Sequence, residues 1–204
     1  MKVFVTGIDT GIGKTFISAI LTKALNADYF KPIQCGDLEN SDSHKVYKWA
    51  KAFTHPETFR LKTPQSPHLA ASLENQRIRL EDIKIPVTKN HLVIEGAGGL
   101  LVPLNDKEYI IDIPKKLNLP VILVCKNYLG SLNHTLLAIE ALNERGIKIL
   151  GLIFNGQPNQ ASEDFLVKRS GVKKLLNVNH EEIIDESIVE KYSTLLKPRL
   201  EKWI

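Results

Sequence analysis

The chain has 204 residues, of which 43% are hydrophobic and 25% are charged, a composition typical of a globular protein with a substantial core. A net charge of +4, without a Lys/Arg block or interleaved basic and aromatic residues, argues against nucleic acid as the main ligand. Two lone cysteines (Cys35 and Cys125), no signal-peptide core and no apolar run near the ~20 residues of a membrane span predict a soluble, cytoplasmic protein.

The chain begins with a strand, a glycine-rich loop and a helix. The strand is predicted at 2–6 (KVFVT), the loop at 7–13 (GIDTGIG) and the helix from residue 14 onward (KTFISAILTKAL). Backbone N–H groups of such a loop surround phosphate oxygens, Lys14 can reach the β- and γ-phosphates, and the Thr15 hydroxyl can ligate Mg²⁺. The loop interior is one residue longer than the usual pattern, which indicates a particular subgroup. An incidental Gly-Lys-Thr at a helix start is the weaker alternative, because a strand and further glycines precede it.

Apolar runs that alternate with helical patterns predict the rest of the fold. Near-continuous apolar, β-branched runs are typical of parallel strands covered on both faces. Between 56 and 86 the sequence predicts loops with one short helix near 69–74. We expect residues 1–204 to form a single P-loop NTPase-like α/β domain, with a mostly parallel sheet and helices on both faces. The later strands are predicted at Tyr29-Phe30, Leu92–Glu95, Val121–Cys125 and Ile149–Phe154.

Polar residues follow several of these strands, at the carboxyl end of the sheet where α/β proteins bind ligands. Glu95 ends its strand before Gly-Ala-Gly-Gly, and a carboxylate there either ligates Mg²⁺ or caps a turn. Lys31 can stabilise a phosphate or a developing anion, although an exposed loop lysine fits the same pattern. Asp42, in Asn-Ser-Asp, is either a ligand or part of a helix N-cap.

A further helix is predicted over 131–144, with Ser131 as its N-cap and Gly146 just beyond its end. The N–H groups of 129–133 (LGSLN) either bind a carboxylate or phosphate or only cap this helix. The six histidines have no metal-ligand spacing. The helix is amphipathic because four apolar residues fall on one face: Leu132, Leu136, Ile139 and Leu142.

Seven short motifs succeed one another along the chain. They are VTGxDTxxGKT at 5–15, KPxxxG at 31–36, NSD at 40–42, SPH at 66–68, EGAGG at 95–99, PVILV at 120–124 and LGxxNH at 129–134. Gly-Lys-Thr and Glu-Gly-Ala-Gly-Gly also occur in related P-loop ligases, but together with KPxxxG and LGxxNH they are more specific. The set resembles the dethiobiotin synthetase family, over about three quarters of the chain.

The resemblance implies an ATP-dependent ring closure in biotin biosynthesis, with 7,8-diaminopelargonate, CO₂ and Mg-ATP as substrates. In that family one amine becomes a carbamate, ATP phosphorylates the carbamate to a mixed anhydride, and the second amine closes a cyclic urea. Carbamate and γ-phosphate are both negative, so cations must lie between them, and Lys14, Lys31 and Mg²⁺ meet that need. The family is homodimeric, with the substrate carboxylate bound at a helix N-terminus of the partner.

The family's motifs also imply residue roles, position by position. Lys31 corresponds to the catalytic lysine and Lys14 to the P-loop lysine, while Thr15, Asp42 and Glu95 correspond to Mg²⁺ ligands. The implied substrate-binding residues are Thr10, Cys35, Gly130, Ser131, Leu132 and Asn133. The implied nucleotide-binding residues are Gly11, Ile12, Gly13, Lys14, Thr15, Phe16, Asp42, Glu95, Gly96, Ala97, Gly98, Asn155 and Gly156, of which Asn155 corresponds to the adenine contact.

Three features depart from the family pattern. Gly11 stands where Glu is frequent and Cys35 where Ser is frequent, but neither change removes a charge needed for phosphoryl transfer. The segment 173–183 (KKLLNVNHEEI) replaces a Gly-x-Ile-Pro-like stretch that frames the nucleobase. We therefore expect ATP to be bound loosely, in a different pose, or without strict preference over other nucleoside triphosphates.

Two other functions are compatible with a P-loop. ATPase switches of the chromosome-partitioning and division-site type carry a signature Lys five residues before the P-loop Lys, where this chain has Asp9. Amidotransferase-linked synthases need a glutamine-handling domain with a nucleophilic Cys, which a chain of 204 residues can obtain only from a separate subunit. The ring-closing ligase is therefore the preferred hypothesis.

Overall fold

The computed structural model describes residues 1–200, which form a parallel sheet with helices on both faces. The strands are β1 (Lys2–Gly7), β2 (Asp28–Phe30), β3 (Ile33–Cys35), β4 (Thr54–His55), β5 (Phe59–Leu61), β6 (Leu92–Glu95), β7 (Val121–Cys125), β8 (Ile149–Asn155) and β9 (Lys174–Val178). The α-helices are α1 (Lys14–Leu25), α2 (Asp42–Ala50), α3 (Pro67–Leu73), α4 (Asp112–Lys116), α5 (Ser131–Glu144), α6 (Gln160–Ser170) and α7 (Glu186–Leu200). This architecture confirms the predicted α/β fold class.

The order of the strands decides which residues meet at the carboxyl edge of the sheet. In the described residues the main sheet has seven strands in the order β4-β2-β6-β1-β7-β8-β9, and each neighbouring pair is parallel. Strands β3 and β5 form a separate parallel pair. Because β6 lies between β2 and β1, the residue that ends β6 stands between the residues that follow β2 and β1.

Two apolar clusters cover the two faces of the main sheet. Alternate residues of a strand point to opposite faces, and in β1 the side chains of Val3 and Val5 join one cluster while Phe4 joins the other. The first cluster includes side chains of α1 and α7, and the second includes side chains of α5 and α6. None of the helices in residues 1–200 combines the length and the apolar character needed to cross a membrane.

The structure confirms several predicted elements and corrects others. The strands at Leu92–Glu95 and Val121–Cys125 and the helix at Ser131–Glu144 have the predicted bounds. The N-cap of that helix is Gly130 in a left-handed conformation, with a φ of 97°, so the prediction of Ser131 as the cap is wrong. The Ser131 hydroxyl instead accepts a hydrogen bond from the Tyr128 N–H at 3.2 Å, which braces the turn before the helix.

The segment 56–86, predicted as loops with a short helix, is more structured than expected. It contains β5, which pairs with β3, and α3, which begins at Pro67 rather than near Leu69. Proline suits the first turn of a helix because its missing N–H has no acceptor there. Residues 64–67 of this segment line a cavity at the carboxyl end of the sheet.

Candidate active site

The glycine-rich loop joins β1 to α1 and is fixed by a side chain from β8. Gly13 has a φ of 92°, a conformation that favours glycine. A Cβ atom on Gly13 would lie 2.1 Å from Asn155 Nδ2. Asn155 Nδ2 also donates a hydrogen bond to the Ile12 carbonyl at 2.8 Å. The predicted nucleotide residues Ile12, Gly13 and Asn155 are therefore in mutual contact.

Lys14 stabilises the same loop through a hydrogen bond to one of its backbone carbonyl groups. Its Nζ donates to the Asp9 carbonyl oxygen at 2.8 Å, and the residue is only 7% exposed. Burial, which disfavours the charged ammonium, lowers the pKa of Lys14 to about 8, although Glu95 partly opposes this. An anion in the loop would reverse the effect of burial and keep the ammonium charged.

Glu95, which ends β6, accepts hydrogen bonds from the first turn of α1 and from the residue that follows β2. Thr15 Oγ1 donates to Glu95 Oε1 at 3.0 Å, and Lys31 Nζ donates to the same oxygen at 3.0 Å. Lys31 Nζ also lies 2.6 Å from Asp42 Oδ2, at the start of α2. Four polar residues predicted from separate parts of the sequence thus form one cluster.

The surroundings of Lys31 and Asp42 decide between the alternatives that the sequence left open for them. Lys31 is only 4% exposed, so it is not an exposed loop lysine. Ser41, rather than Asp42, caps α2, because its side chain accepts from the His44 N–H. Asp42 is therefore left to pair with Lys31.

Electrostatic interactions favour the charged forms of Lys31 and Asp42. Burial opposes the charge on Lys31, but the carboxylates of Glu95 and Asp42 outweigh it and raise the pKa of the ammonium above its usual value. Burial likewise opposes ionisation of Asp42, and Lys31 outweighs it, so the pKa of Asp42 is lowered. A fixed positive charge therefore lies between two carboxylates.

The donor set of the cluster fits magnesium. In residues 1–200, no group of three His, Cys, Asp or Glu side chains could hold a metal by itself. Nucleotide-bound Mg²⁺ does not require one, because it takes one or two carboxylates together with phosphate oxygens and water. Two carboxylates and a hydroxyl are available from Glu95, Asp42 and Thr15, all of which are hard oxygen ligands.

A cavity of about 400 Å³ opens beside the cluster. Thr10 and Cys35, the predicted substrate contacts, line it together with Lys31 and Asp42. Burial raises the pKa of the Cys35 thiol to about 11, so the wall presents a neutral thiol near pH 7. The remaining described lining residues include Gln34, Pro64, Gln65, Ser66, Pro67, Ala97, Gly98 and Val102.

The segment Gly130–Asn133 does not line this cavity in the described residues. It lies at the N-terminus of α5, where Gly130, Ser131 and Leu132 line a different cavity of about 450 Å³ with residues 157–159. Within one chain, therefore, the predicted carboxylate site and the Lys31 cavity are separate.

One buried contact of the cluster was missed by the sequence analysis. The Tyr29 hydroxyl donates to Glu95 Oε2 at 2.8 Å. The available signal was its spacing: residues two apart in an extended segment share a face, and Tyr29 on β2 stands two residues before Lys31, which directly follows that strand.

The segment that departs from the base-framing pattern forms β9 and the loop after it. The Asn179 N–H donates to the Tyr192 hydroxyl on α7 at 3.1 Å, and that hydroxyl donates to Glu181 Oε1 at 2.5 Å. The loop is thereby attached to α7.

The sequence matches the family model described as an AAA domain over residues 1–187. The chain is 49% identical to an ATP-dependent dethiobiotin synthetase BioD from Christiangramia forsetii, over 97% of this chain and 96% of the relative. It is 46% identical to a protein of the same name from Cytophaga hutchinsonii, over 96% of each chain.

The fold is also similar to solved P-loop structures of low sequence identity. A ParA family ATPase from Chlorobium tepidum has a TM-score of 0.55 at 15% identity, covering 98% of this chain and 91% of that one. A putative plasmid partition protein from Borrelia burgdorferi bound to AMPPNP has a TM-score of 0.59 at 11% identity, covering 98% of each chain. At this identity the similarity concerns the fold alone.

Proposed function

The chain belongs to the AAA-domain family and, within it, to the ATP-dependent dethiobiotin synthetases, and from this we propose how its residues perform the reaction. The enzyme is a ligase that forms C–N bonds, using ATP to convert 7,8-diaminopelargonate and CO₂ to dethiobiotin in biotin biosynthesis. The observation that carries the assignment of residues is that Glu95 is shared by Thr15 of the P-loop and by Lys31 of the cavity. Triphosphate and carbamate would therefore meet at this carboxylate.

Two lysines neutralise the charge that the reaction brings together. Lys14 would bind the β- and γ-phosphates, and Lys31 would face the carbamate oxygen that attacks the γ-phosphorus. Support comes from the cavity beside Lys31 and from the loop around Lys14. The second amine then attacks the carbamoyl carbon of the mixed anhydride, forms the second C–N bond of the urea and expels phosphate.

The other assigned residues bind and orient the substrates. The backbone of 11–16 would surround the phosphates, and residues 95–98 would lie beside them across the sheet edge. Thr15, Asp42 and Glu95 would hold Mg²⁺, which neutralises and orients phosphate oxygens when bound. Thr10 and Cys35 would contact the diamine. Asn155 and Gly156, at the end of β8, would contact the base.

We also propose that the whole chain is one domain located in the cytoplasm. A single domain over residues 1–204 is supported for the described part by the two apolar clusters, which pack on opposite faces of one sheet. A cytoplasmic location is supported by the two cysteines, Cys35 and Cys125, which are both free thiols.

A direct assay tests the function. The protein is incubated with 7,8-diaminopelargonate, bicarbonate, Mg²⁺ and each nucleoside triphosphate in turn, and dethiobiotin is detected by mass. Product is expected with ATP, and its absence with every triphosphate would exclude the function. The altered segment at 173–183 predicts similar kcat/KM values across the triphosphates, whereas a strong ATP preference would contradict that expectation.

The pH dependence of ATP binding follows from Lys14. Since its pKa in the free protein is about 8, the ammonium loses its proton as pH rises through 8, while bound triphosphate favours the charged form. ATP affinity should therefore fall above pH 8, by up to about tenfold per pH unit. Calorimetry at pH 8.5 in buffers of different ionisation enthalpy should detect proton uptake. Equal apparent enthalpies, after correction for the nucleotide, would contradict the prediction.

A homodimer would complete the substrate site. Exposed apolar side chains lie on α5 and beside it. Leu101 and Leu137 line a cavity of about 380 Å³ with His134, and the Tyr128 hydroxyl forms a hydrogen bond with His134 Nδ1 at 2.7 Å. Such a patch is suited to a second copy. The Gly130–Asn133 N–H groups of the partner would then bind the substrate carboxylate.

Replacing Leu137 with glutamate should therefore convert the dimer to a monomer. Buried charge at the interface would oppose association, and the monomer should lose kcat/KM for the diamine while it still binds ATP. Analytical ultracentrifugation measures the first effect. Leu195→Glu is the matched control, since Leu195 on α7 is 54% exposed and Leu137 is 55% exposed. A Leu137→Glu protein of unchanged mass in solution would exclude this interface.

A further inference from the structure

Tyr29 is a buried side chain whose hydroxyl ends at the candidate metal site. The residue lies on β2, where it is 0% exposed, and its hydroxyl donates to Glu95 Oε2 at 2.8 Å. Glu95 is 1% exposed. In the register of β2 and β6, Tyr29 lies opposite Val93, so its ring reaches along the sheet to the carboxylate two residues further on.

The two oxygens of Glu95 have different partners. Oε2 accepts from Tyr29, while Oε1 accepts from both Thr15 and Lys31. Tyr29 and Lys31 are two residues apart and act on the same carboxylate from the same strand region. Oε1 of Glu95 therefore faces Thr15 of the P-loop, while Oε2 is bound to the Tyr29 hydroxyl.

The Tyr29 hydroxyl also opposes a different orientation of the Glu95 carboxylate. Without it, Oε2 would be a buried acceptor with no donor, which is costly. Lys31 already donates to Oε1, and a rotation of the carboxylate that brought Oε2 to the same ammonium would take Oε1 away from Thr15. A lysine bound by both oxygens would also be less able to meet the substrate.

We infer that Tyr29 is a positioning residue that fixes the orientation of Glu95, so that the carboxylate presents Oε1 to the metal ion of the bound nucleotide. This rests on the proposed function, in which Glu95 is a Mg²⁺ ligand. Removing the hydroxyl should weaken metal binding without touching the nucleotide. Partners that orient metal ligands typically contribute 10- to 100-fold in metal affinity or activity.

The test is Tyr29→Phe, which removes one oxygen and keeps the ring. The affinity of a non-hydrolysable ATP analogue is measured by calorimetry with Mg²⁺ and with EDTA, and Mn²⁺ bound with the analogue is measured by electron paramagnetic resonance. The metal-dependent gain in affinity should fall about tenfold, while the affinity in EDTA stays unchanged. Equal losses with and without metal would indicate a general structural defect and overturn the inference.

Two further variants separate this inference from the function it rests on. Tyr192→Phe is the matched control, because it removes a tyrosine hydroxyl that donates to a different carboxylate, Glu181; any effect should be the same with metal and with EDTA. Glu95→Gln should abolish most of the metal-dependent gain. If Glu95→Gln loses this gain and Tyr29→Phe keeps it, Tyr29 has no positioning role. If Glu95→Gln keeps the gain, the assignment of Glu95 as a metal ligand is wrong, whatever Tyr29→Phe shows.

A double variant keeps the test decisive if Tyr29→Phe is unstable. Because the Glu95→Gln variant keeps little metal-dependent gain, the two variants are compared in EDTA, where the added Tyr29→Phe change should cost nothing in affinity for the ATP analogue. A tenfold loss in EDTA would mean that Tyr29 acts on the nucleotide site independently of Glu95 and the metal, and would overturn the inference.

Discussion

Replacing Lys31 with alanine is expected to lower kcat for dethiobiotin formation by roughly 10²–10³-fold, the loss typical when a fixed donor to a developing anion is removed. The ammonium is buried and held between Asp42 and Glu95, which keep it charged. Its loss would leave those two carboxylates facing the incoming carbamate and triphosphate. Steady-state rates at saturating ATP and diamine, with product detected by mass, measure the effect.

A neighbouring lysine provides the control for general electrostatic effects. Lys45 Nζ lies 4.0 Å from Asp42 Oδ1 and 2.9 Å from Asp37 Oδ2, but its side chain is 26% exposed, against 6% for Lys31. Exposed ion pairs contribute little, so Lys45→Ala should retain nearly full activity. Thermal unfolding of both variants checks that they are folded. An unchanged kcat in folded Lys31→Ala would refute the catalytic assignment.

Replacing Lys14 with alanine should lower kcat/KM for ATP by about 10²-fold or more, because the charge on the phosphates then develops without its nearest fixed cation. The side chain also holds the loop closed through the Asp9 carbonyl, so its loss should loosen the phosphate site. Initial rates over a range of ATP concentrations give the effect. The proton uptake expected near pH 8.5 should vanish in the same variant.

Lys23→Ala is the matched control for Lys14→Ala, since it removes a lysine from the other end of the same helix. Lys23 forms a partly exposed ion pair with Glu190 at 3.1 Å, far along α1 from the loop. Its kinetics should resemble those of the unmodified protein. Persisting proton uptake in Lys14→Ala would assign the titration to another group.

The central strands of the sheet could be predicted from the sequence, whereas its edges could not. Strands β6 and β7 are fully buried and therefore read as continuous apolar runs. The two edge strands, β4 and β9, were not predicted. Strand β4 has only two half-buried residues, and β9 carries Lys174 and Asn177, so neither has the apolar signal of a strand covered on both faces.

The likeness to partitioning ATPases illustrates the difference between fold and function. Solved structures of that type share the sheet and the P-loop at 10–15% identity. A likeness of fold at this identity does not extend to single functional residues such as Asp9 in the loop or Lys31 beside its cavity. The dethiobiotin synthetase relatives, by contrast, are 42–49% identical to this chain over nearly its full length.

The sequence by itself determined the elements whose signals are local. A P-loop is a contiguous segment, a buried strand is a contiguous apolar run, and the motif set from 5 to 134 indicated the family. The tertiary structure alone decided which side chains meet. Because β6 lies between β2 and β1, Glu95 receives Lys31 from one side and Thr15 from the other. The hydroxyl of Tyr29 then takes the remaining oxygen. Such contacts join residues more than sixty positions apart, and no local pattern specifies them.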